Sequence, residues 1–253
     1  MKTNQILSVV ALAATLASAQ TTVYGPSGLN FVPSAFASGE GLWSGSAGGS
    51  TDQSPLGLIA LQGDFLEGRL ELGLSNAWRL VEGDSVGWNP GLFPMPIVPS
   101  AKWIIDREER GRQSWGYAAG FSMPLGAWAA AGWRLRLPLA SPQIHAGLGT
   151  PLNSIQAFGG LALELCDLEG TSLPVTLAVD GALAGSTGTL GQAEEAYWSA
   201  GVTTRLGRNL SFQAVHRRDR HYQTLSDDGN RDGGISLLRV LWNFGGNAQG
   251  ASR

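Results

Sequence analysis

Apolar and polar residues alternate singly along most of this chain, and a period of two predicts strands rather than helices. In GRLELGLSNAW, Leu70, Leu72 and Leu74 share one side, while Arg69, Glu71 and Ser75 share the other. SWGYAAGF sets Trp115, Tyr117, Ala119 and Phe121 against Ser114, Gly116 and Gly120, and AAGWRLRLP sets Ala131, Trp133, Leu135 and Leu137 against Gly132, Arg134 and Arg136. YWSAGVTTRLG and ISLLRVLWNF repeat the scheme, with Trp198, Ala200, Val202 and Leu206 opposite Ser199, Thr203 and Arg205, and Leu238, Val240, Trp242 and Phe244 opposite Arg239 and Asn243. Further strands are expected over 42–49, 55–64, 101–107, 142–148, 157–166, 174–184 and 209–217. The pattern amounts to about twelve strands, each with one oily and one wet face.

Two architectures produce such strands. The first is a closed antiparallel transmembrane β-barrel, in which the oily face meets lipid and the wet face lines the lumen. The second is a secreted, soluble β-sandwich binding protein. Connection lengths favour the barrel. If the last strand runs toward the periplasm, the long connections fall on one side (79–100, 185–195 and 218–233) and the short ones (EERGRQ, PLAS and LGRN) on the other. Pro124-Leu125-Gly126 is a tight turn on the long side. Trp43, Trp78, Trp103, Trp115, Trp128, Trp198 and Trp242 sit near strand ends, where an interfacial girdle belongs. Charged residues fall in strand middles, which suits a hydrated lumen. Arg69, Glu71, Arg134, Arg136, Glu164, Asp180, Arg205 and Arg239 are therefore the expected lumen-facing set.

The N-terminus adds a location. Lys2 precedes an apolar run from Ile6 to Ala17, and Ala17-Ser18-Ala19 is a small-residue cleavage pattern, so residues 1–19 read as a signal peptide. Residues 20–41 are then a periplasmic N-terminal segment, 42–244 the barrel and 245–253 a C-terminal tail. No later apolar run reaches the ~18 residues of a membrane helix, which leaves a closed barrel as the way to span a bilayer. The expected location is the bacterial outer membrane.

Composition narrows the chemistry. The chain carries 36 glycines, 15% charged residues and a net charge of −3, which gives no electrostatic case for nucleic acid. Strand glycines, among them Gly116, Gly132, Gly159, Gly160 and Gly181, suit sheet bends or space in a narrow lumen. The single Cys166 excludes an internal disulfide. Lys102 is the only lysine after the signal peptide, and no glycine run opens a helix, so a nucleotide-binding loop is absent. His216, Asp219, His221, Asp227 and Asp228 crowd one external loop, and 227–232 resembles a fragment of a calcium loop without its distal glutamate. They read as solvated loop residues. No catalytic residue, metal or cofactor is assigned, and the chain is expected not to be an enzyme.

One stretch does not fit the alternation. GLNFVPSAFASGEG, from Gly28 to Gly41, is too broken by glycine and proline for a helix and too apolar for a linker. It is expected to lie across or into the barrel mouth, with Leu29, Phe31 and Val32 packed on the wall. YGPSGLNFVPSAF resembles the start of YjbH-like outer-membrane proteins, in which a Gly-x-x-Gly-Leu-x-x-x-Pro-[Ser/Thr]-Ala motif follows the signal peptide. Gly25, Gly28, Leu29, Pro33, Ser34 and Ala35 occupy its positions. DFLEGRLELGLS and VPSAKWIIDREERG are similar to later strands of that family, so the resemblance covers about the first half of the chain. It implies a cell-envelope role and a link to exopolysaccharide production. The expected function is thus a passive channel or structural envelope component, with an accessory role in exopolysaccharide export as the alternative. The expected partners are outer-membrane lipid, the barrel-assembly machinery and polysaccharide or small solutes. The sequence leaves the oligomeric state open.

Overall fold

The computed structural model describes residues 22, 28–36, 42–50, 56–81, 85–88, 97–122, 125–137, 139–150, 154–165, 175–186, 195–206, 209–219 and 234–245. The expected signal peptide, Gly25, Cys166, the 220–233 loop and residues 246–253 lie outside them.

The described residues form strands and no helix. They are β1 (Leu42–Ser50), β2 (Leu56–Phe65), β3 (Leu70–Val81), β4 (Ser85–Trp88), β5 (Val98–Arg110), β6 (Gln113–Ser122) and β7 (Gly126–Leu135), then β8 (Ala140–Thr150), β9 (Ser154–Leu165), β10 (Val175–Ser186), β11 (Glu195–Leu206), β12 (Leu210–Asp219) and β13 (Gly234–Gly245). Twelve of them close one antiparallel ring. β3 passes to β5, and β13 returns to β1 from Leu42↔Gly245 through to Ser50↔Leu237. A ring has no free edge, so every strand finds its ladder within the sheet and the two-sheet sandwich does not form.

β4 stands outside the ring as a hairpin on the far end of β3, pairing Val81↔Ser85 to Trp78↔Trp88. The 79–100 stretch expected to be all connection is therefore partly strand, at both its ends and in its middle. Call the end where β1 starts and β13 finishes proximal, and the other distal. Distal connections include the two longest, 82–97 with β4 inside it and 220–233, but only three residues join β6 to β7 and three join β8 to β9, while the proximal connection 166–174 runs to nine.

The alternation sorts side chains as the period of two requires. Leu74, Leu161, Val179, Leu183 and Leu238 stand exposed on the outer face. Near the proximal end this face carries aromatics, with Trp43 against Phe65 (centroids 5.6 Å apart) and Trp115 against Trp133 (6.2 Å). Trp128 departs from the expected girdle: its side chain points inward and is buried. At Ile104/Asp106 a bulge shifts the β5–β6 register, so the alternation changes phase below it.

The inner face has two layers. Toward the distal end it is apolar, with Val98, Trp128, Phe158, Tyr197, Ile235 and Leu237 in one cluster. Toward the middle and the proximal end it is polar, with Glu71, Lys102, Arg134, Asp180 and Arg239 buried there. Phe31, Val32 and Ala35, from ahead of the first strand, belong to the apolar cluster. The lumen is therefore packed as a core in which the chain's own N-terminal segment is the central piece.

Candidate functional site

Residues 28–36 enter the lumen as a tight turn. Gly28 and Pro33 form an antiparallel bridge, and the Leu29 amide donates to the Val32 carbonyl at 2.9 Å. A Cβ on Gly28 would collide with that carbonyl, so the turn needs glycine at its entry. Pro33 lacks an N–H, and at the exit of the turn it leaves no orphan donor inside the barrel. Every residue from Leu29 to Phe36 is buried, Val32 completely.

The wall grips the backbone of this segment with charged side chains. Asp180 on β10 accepts from the Phe31 amide at 2.7 Å and the Val32 amide at 3.1 Å on Oδ2, while its Oδ1 accepts from the Ser199 hydroxyl. Asn30 at the turn's tip donates to Ser199 Oγ (3.0 Å) and the Ala178 carbonyl (3.2 Å), and accepts from Gln213 Nε2 at 3.4 Å. Gln213 Oε1 accepts from Arg239, which also donates to the Thr22 carbonyl (3.1 Å) and to Ser46 Oγ (2.6 Å). One continuous network thus joins β10, β11, β12, β13 and β1 through the inserted chain.

A second grip lies across the lumen. Lys102 on β5 donates to the Phe36 carbonyl at 2.7 Å and pairs with Glu71 at 2.8 Å, both side chains being almost fully buried. The Phe36 ring lies 4.6 Å below the Arg134 guanidinium and edge-on to His145 at 5.5 Å. Phe31 meets Tyr197 edge-on at 6.1 Å, and Arg217 stacks over both rings.

Space for the segment is made by glycines on the inner face. A Cβ on Gly116 would sit 2.7 Å from the Ala35 carbonyl oxygen, and one on Gly132 would sit 3.1 Å from the Phe36 ring. At Gly160 it would strike Leu29, and at Gly201 the Asn30 amide. Counting the cradle with the polar contacts, residues 28–36 touch an unbroken run of strands from β5 round to β12, and β13 holds Thr22 ahead of them.

No protein-family model matches the chain, and no curated protein matches it either. Among solved structures it is similar to the KdgM porin, with 9% identity, a TM-score of 0.48, and coverage of 79% of this chain and 98% of that one. The NanC porin gives 6% identity, TM-score 0.47, and 80% and 98% coverage. An outer-membrane channel from Pseudomonas putida F1 gives 12% identity, TM-score 0.45, and 85% and 97% coverage. None of these similarities reaches a TM-score of 0.5.

The expected lumen residues divide into three groups. Glu71, Arg134, Glu164, Asp180 and Arg239 are buried on the inner face. Arg136 and Arg205 are half-buried toward the proximal mouth, where Arg136 bonds Glu109 at 3.2 Å. Arg69 is not on the wall: it closes the four-residue β2–β3 turn, in which Leu66, Glu67 and Gly68 all adopt positive φ, and it is exposed. His216 lies on the outer face, near Trp198 and bonded to Ser236 at 3.1 Å, so it faces away from the lumen. Its sequence companions His221, Asp227 and Asp228 lie outside the described residues.

Sequence reading missed Lys102, His145, Ser199 and Gln213 as members of the site. Lys102 carried a signal in its rarity, being the one lysine of an arginine-rich barrel. Ser199 and Gln213 carried none, since polar residues are expected at every inward position of such a strand.

Proposed function

We propose that this protein is an outer-membrane β-barrel channel closed by its own N-terminal segment, which acts as a displaceable stopper rather than as part of a permanent core. The observation that carries this is the manner of holding. Asp180, Lys102 and Arg239 bind backbone atoms of the segment through charged side chains buried in the wall. In a permanent core, apolar packing of equal volume would be at least as stable as buried charge. In a barrel that empties, the same side chains are solvated once the segment leaves, and the lumen is left polar through its middle. The apolar outer face and its proximal aromatics support placement in a bilayer, and the closed ring of strands supports the outer membrane. The role is non-enzymatic passage of small solutes.

Planar-bilayer recording tests this. The full-length protein should sit near the lipid background, and a variant lacking residues 22–36 should give discrete conductance steps. A deletion variant that folds and stays silent would remove the channel reading and leave a structural barrel.

The YjbH-like resemblance rests on the segment held in the lumen and supports a second role, as an accessory of exopolysaccharide production. An unchanged extracellular matrix in a deletion strain would count against it.

A further inference from the structure

The two ends of the inserted segment are held differently. At the Asn30–Val32 end, wall donors and acceptors meet backbone and amide partners in a connected network. At the Phe36 end, two nitrogen-bearing side chains face a hydrocarbon ring. Arg134 donates Nη2 to Gln143 at 3.1 Å, its Nε has no hydrogen-bond partner, and its guanidinium lies over Phe36. His145 is 1% exposed, and both of its ring nitrogens lack a hydrogen-bond partner. The ammonium of Lys102 completes the surround from the Phe36 carbonyl. Three side chains from β5, β7 and β8 therefore converge on one aromatic residue that can offer them only its π-face and a single carbonyl.

We infer that Phe36 covers a luminal oxyanion-binding station formed by Arg134 and His145, with Lys102 beside it, and that a phosphate- or carboxylate-bearing solute competes with the Phe36 ring for it. Buried donors are satisfied in native structures as a rule, and an exception asks for a physical explanation, of which a bound ion is one. An oxyanion has what the ring lacks: lone pairs in a plane that a guanidinium fork addresses bidentately, and an acceptor for an imidazole N–H. The neighbouring charges limit the station rather than abolish it. Glu71 is committed to Lys102, and Glu164 lies on the same wall near Arg134 and Arg205. These carboxylates keep the open lumen from holding an anion so tightly that it could not leave. Gly132 admits the ring now, and its missing side chain leaves room for an anion of similar depth once the ring withdraws. The inference names the solute class of the proposed channel and rests on that reading only for its physiological use.

Equilibrium titration of inorganic phosphate, and of acetate in parallel, into the full-length barrel in detergent tests the station without requiring conductance. Phe36→Leu keeps bulk on the apolar side and removes the π-face. It should bind one of the two anions at least tenfold more tightly than the unaltered chain. Adding Arg134→Gln should cancel the gain, and so should adding His145→Leu. Phe36→Leu binding neither anion better than the unaltered protein, or a gain that survives Arg134→Gln, would overturn the inference. If Phe36→Leu does not fold, the variant lacking 22–36 takes its place with the same expectations. A barrel that binds phosphate yet never conducts would lose the channel reading alone, and one that conducts without binding either anion would lose the station alone.

Discussion

The backbone amide of Phe31 donates to the carboxylate of Asp180 at 2.7 Å, although the two residues stand 149 positions apart in the chain. No strand pairing brings them together. They meet because the ring closes around a segment that precedes it. A carboxylate that collects two amides and a hydroxyl is a stronger acceptor than a neutral amide in its place. Asp180→Asn should therefore weaken docking and raise the undocked fraction by about one to two orders of magnitude, on a charged hydrogen-bond contribution of about 1.5–3 kcal/mol. Single-channel recording would register this as frequent openings of the size seen in the deletion variant. Openings as rare as in the unaltered protein would remove Asp180 as a latch.

Gly201→Ala places a methyl group against the Asn30 side chain, with Val215 as its other close neighbour. The expected cost is about 1–3 kcal/mol in the full-length barrel, as for other overpacked interiors. In the variant lacking 22–36 it should fall to a few tenths, because the colliding group is gone. Urea titrations of the four proteins form a double-mutant cycle. Equal costs in both backgrounds would show that Gly201 serves the sheet and not the stopper.

Lys102→Met takes the paired ammonium away from Glu71, 1% exposed, inside the wall. Breaking one side of such a pair costs about 3–5 kcal/mol, whereas removing both charges is far cheaper. The single substitution should shift thermal unfolding strongly downward, and the combination with Glu71→Gln should recover most of the loss. Migration of unboiled samples on a gel reads folded barrel directly. No recovery in the double variant would assign the loss to the Phe36 contact instead.

Val179 faces outward in the middle of β10, beside inward-facing Ala178 and Asp180. Val179→Arg should cost about 2–4 kcal/mol when the protein folds into lipid vesicles, the penalty for arginine at a bilayer midplane. A change under about 0.5 kcal/mol is what a surface in water would give, and it would contradict the membrane placement.

The single-residue alternation made the ring legible. Leu70, Leu72 and Leu74 against Glu71 and Ser75 needs only a strand with two different sides, and strands of that kind with short turns leave few ways to bury one face. Where the second side was also apolar, the alternation still chose the outer side of β13 correctly but did not announce a packed lumen. Ile235 and Leu237 face inward as Leu238 faces outward, because the distal lumen packs against Phe31 and Val32 and not against water. Trp128 was read as a girdle residue from its place near a strand end, and it points inward into the same apolar layer. Arg69 was lost to a turn whose positive-φ residues include Leu66 and Glu67, types that do not announce such a conformation. The N-terminal segment was legible as a stretch with apolar residues to hide. Its partners were not, since nothing local links Asn30 to Ser199 or Phe36 to Lys102.

Five positions separate Phe36 from Leu42, where β1 begins its pairing with β13. So short a tether keeps the inserted turn beside the seam, yet Gln213, which bonds Asn30, is itself held by Arg239 on the last strand of the ring. The turn therefore has no complete berth until the C-terminal strand arrives, and that arrival also shuts the wall. On the proposed channel reading, closing the ring and seating the stopper are then one event, and passage of a solute requires that the seated turn be displaced.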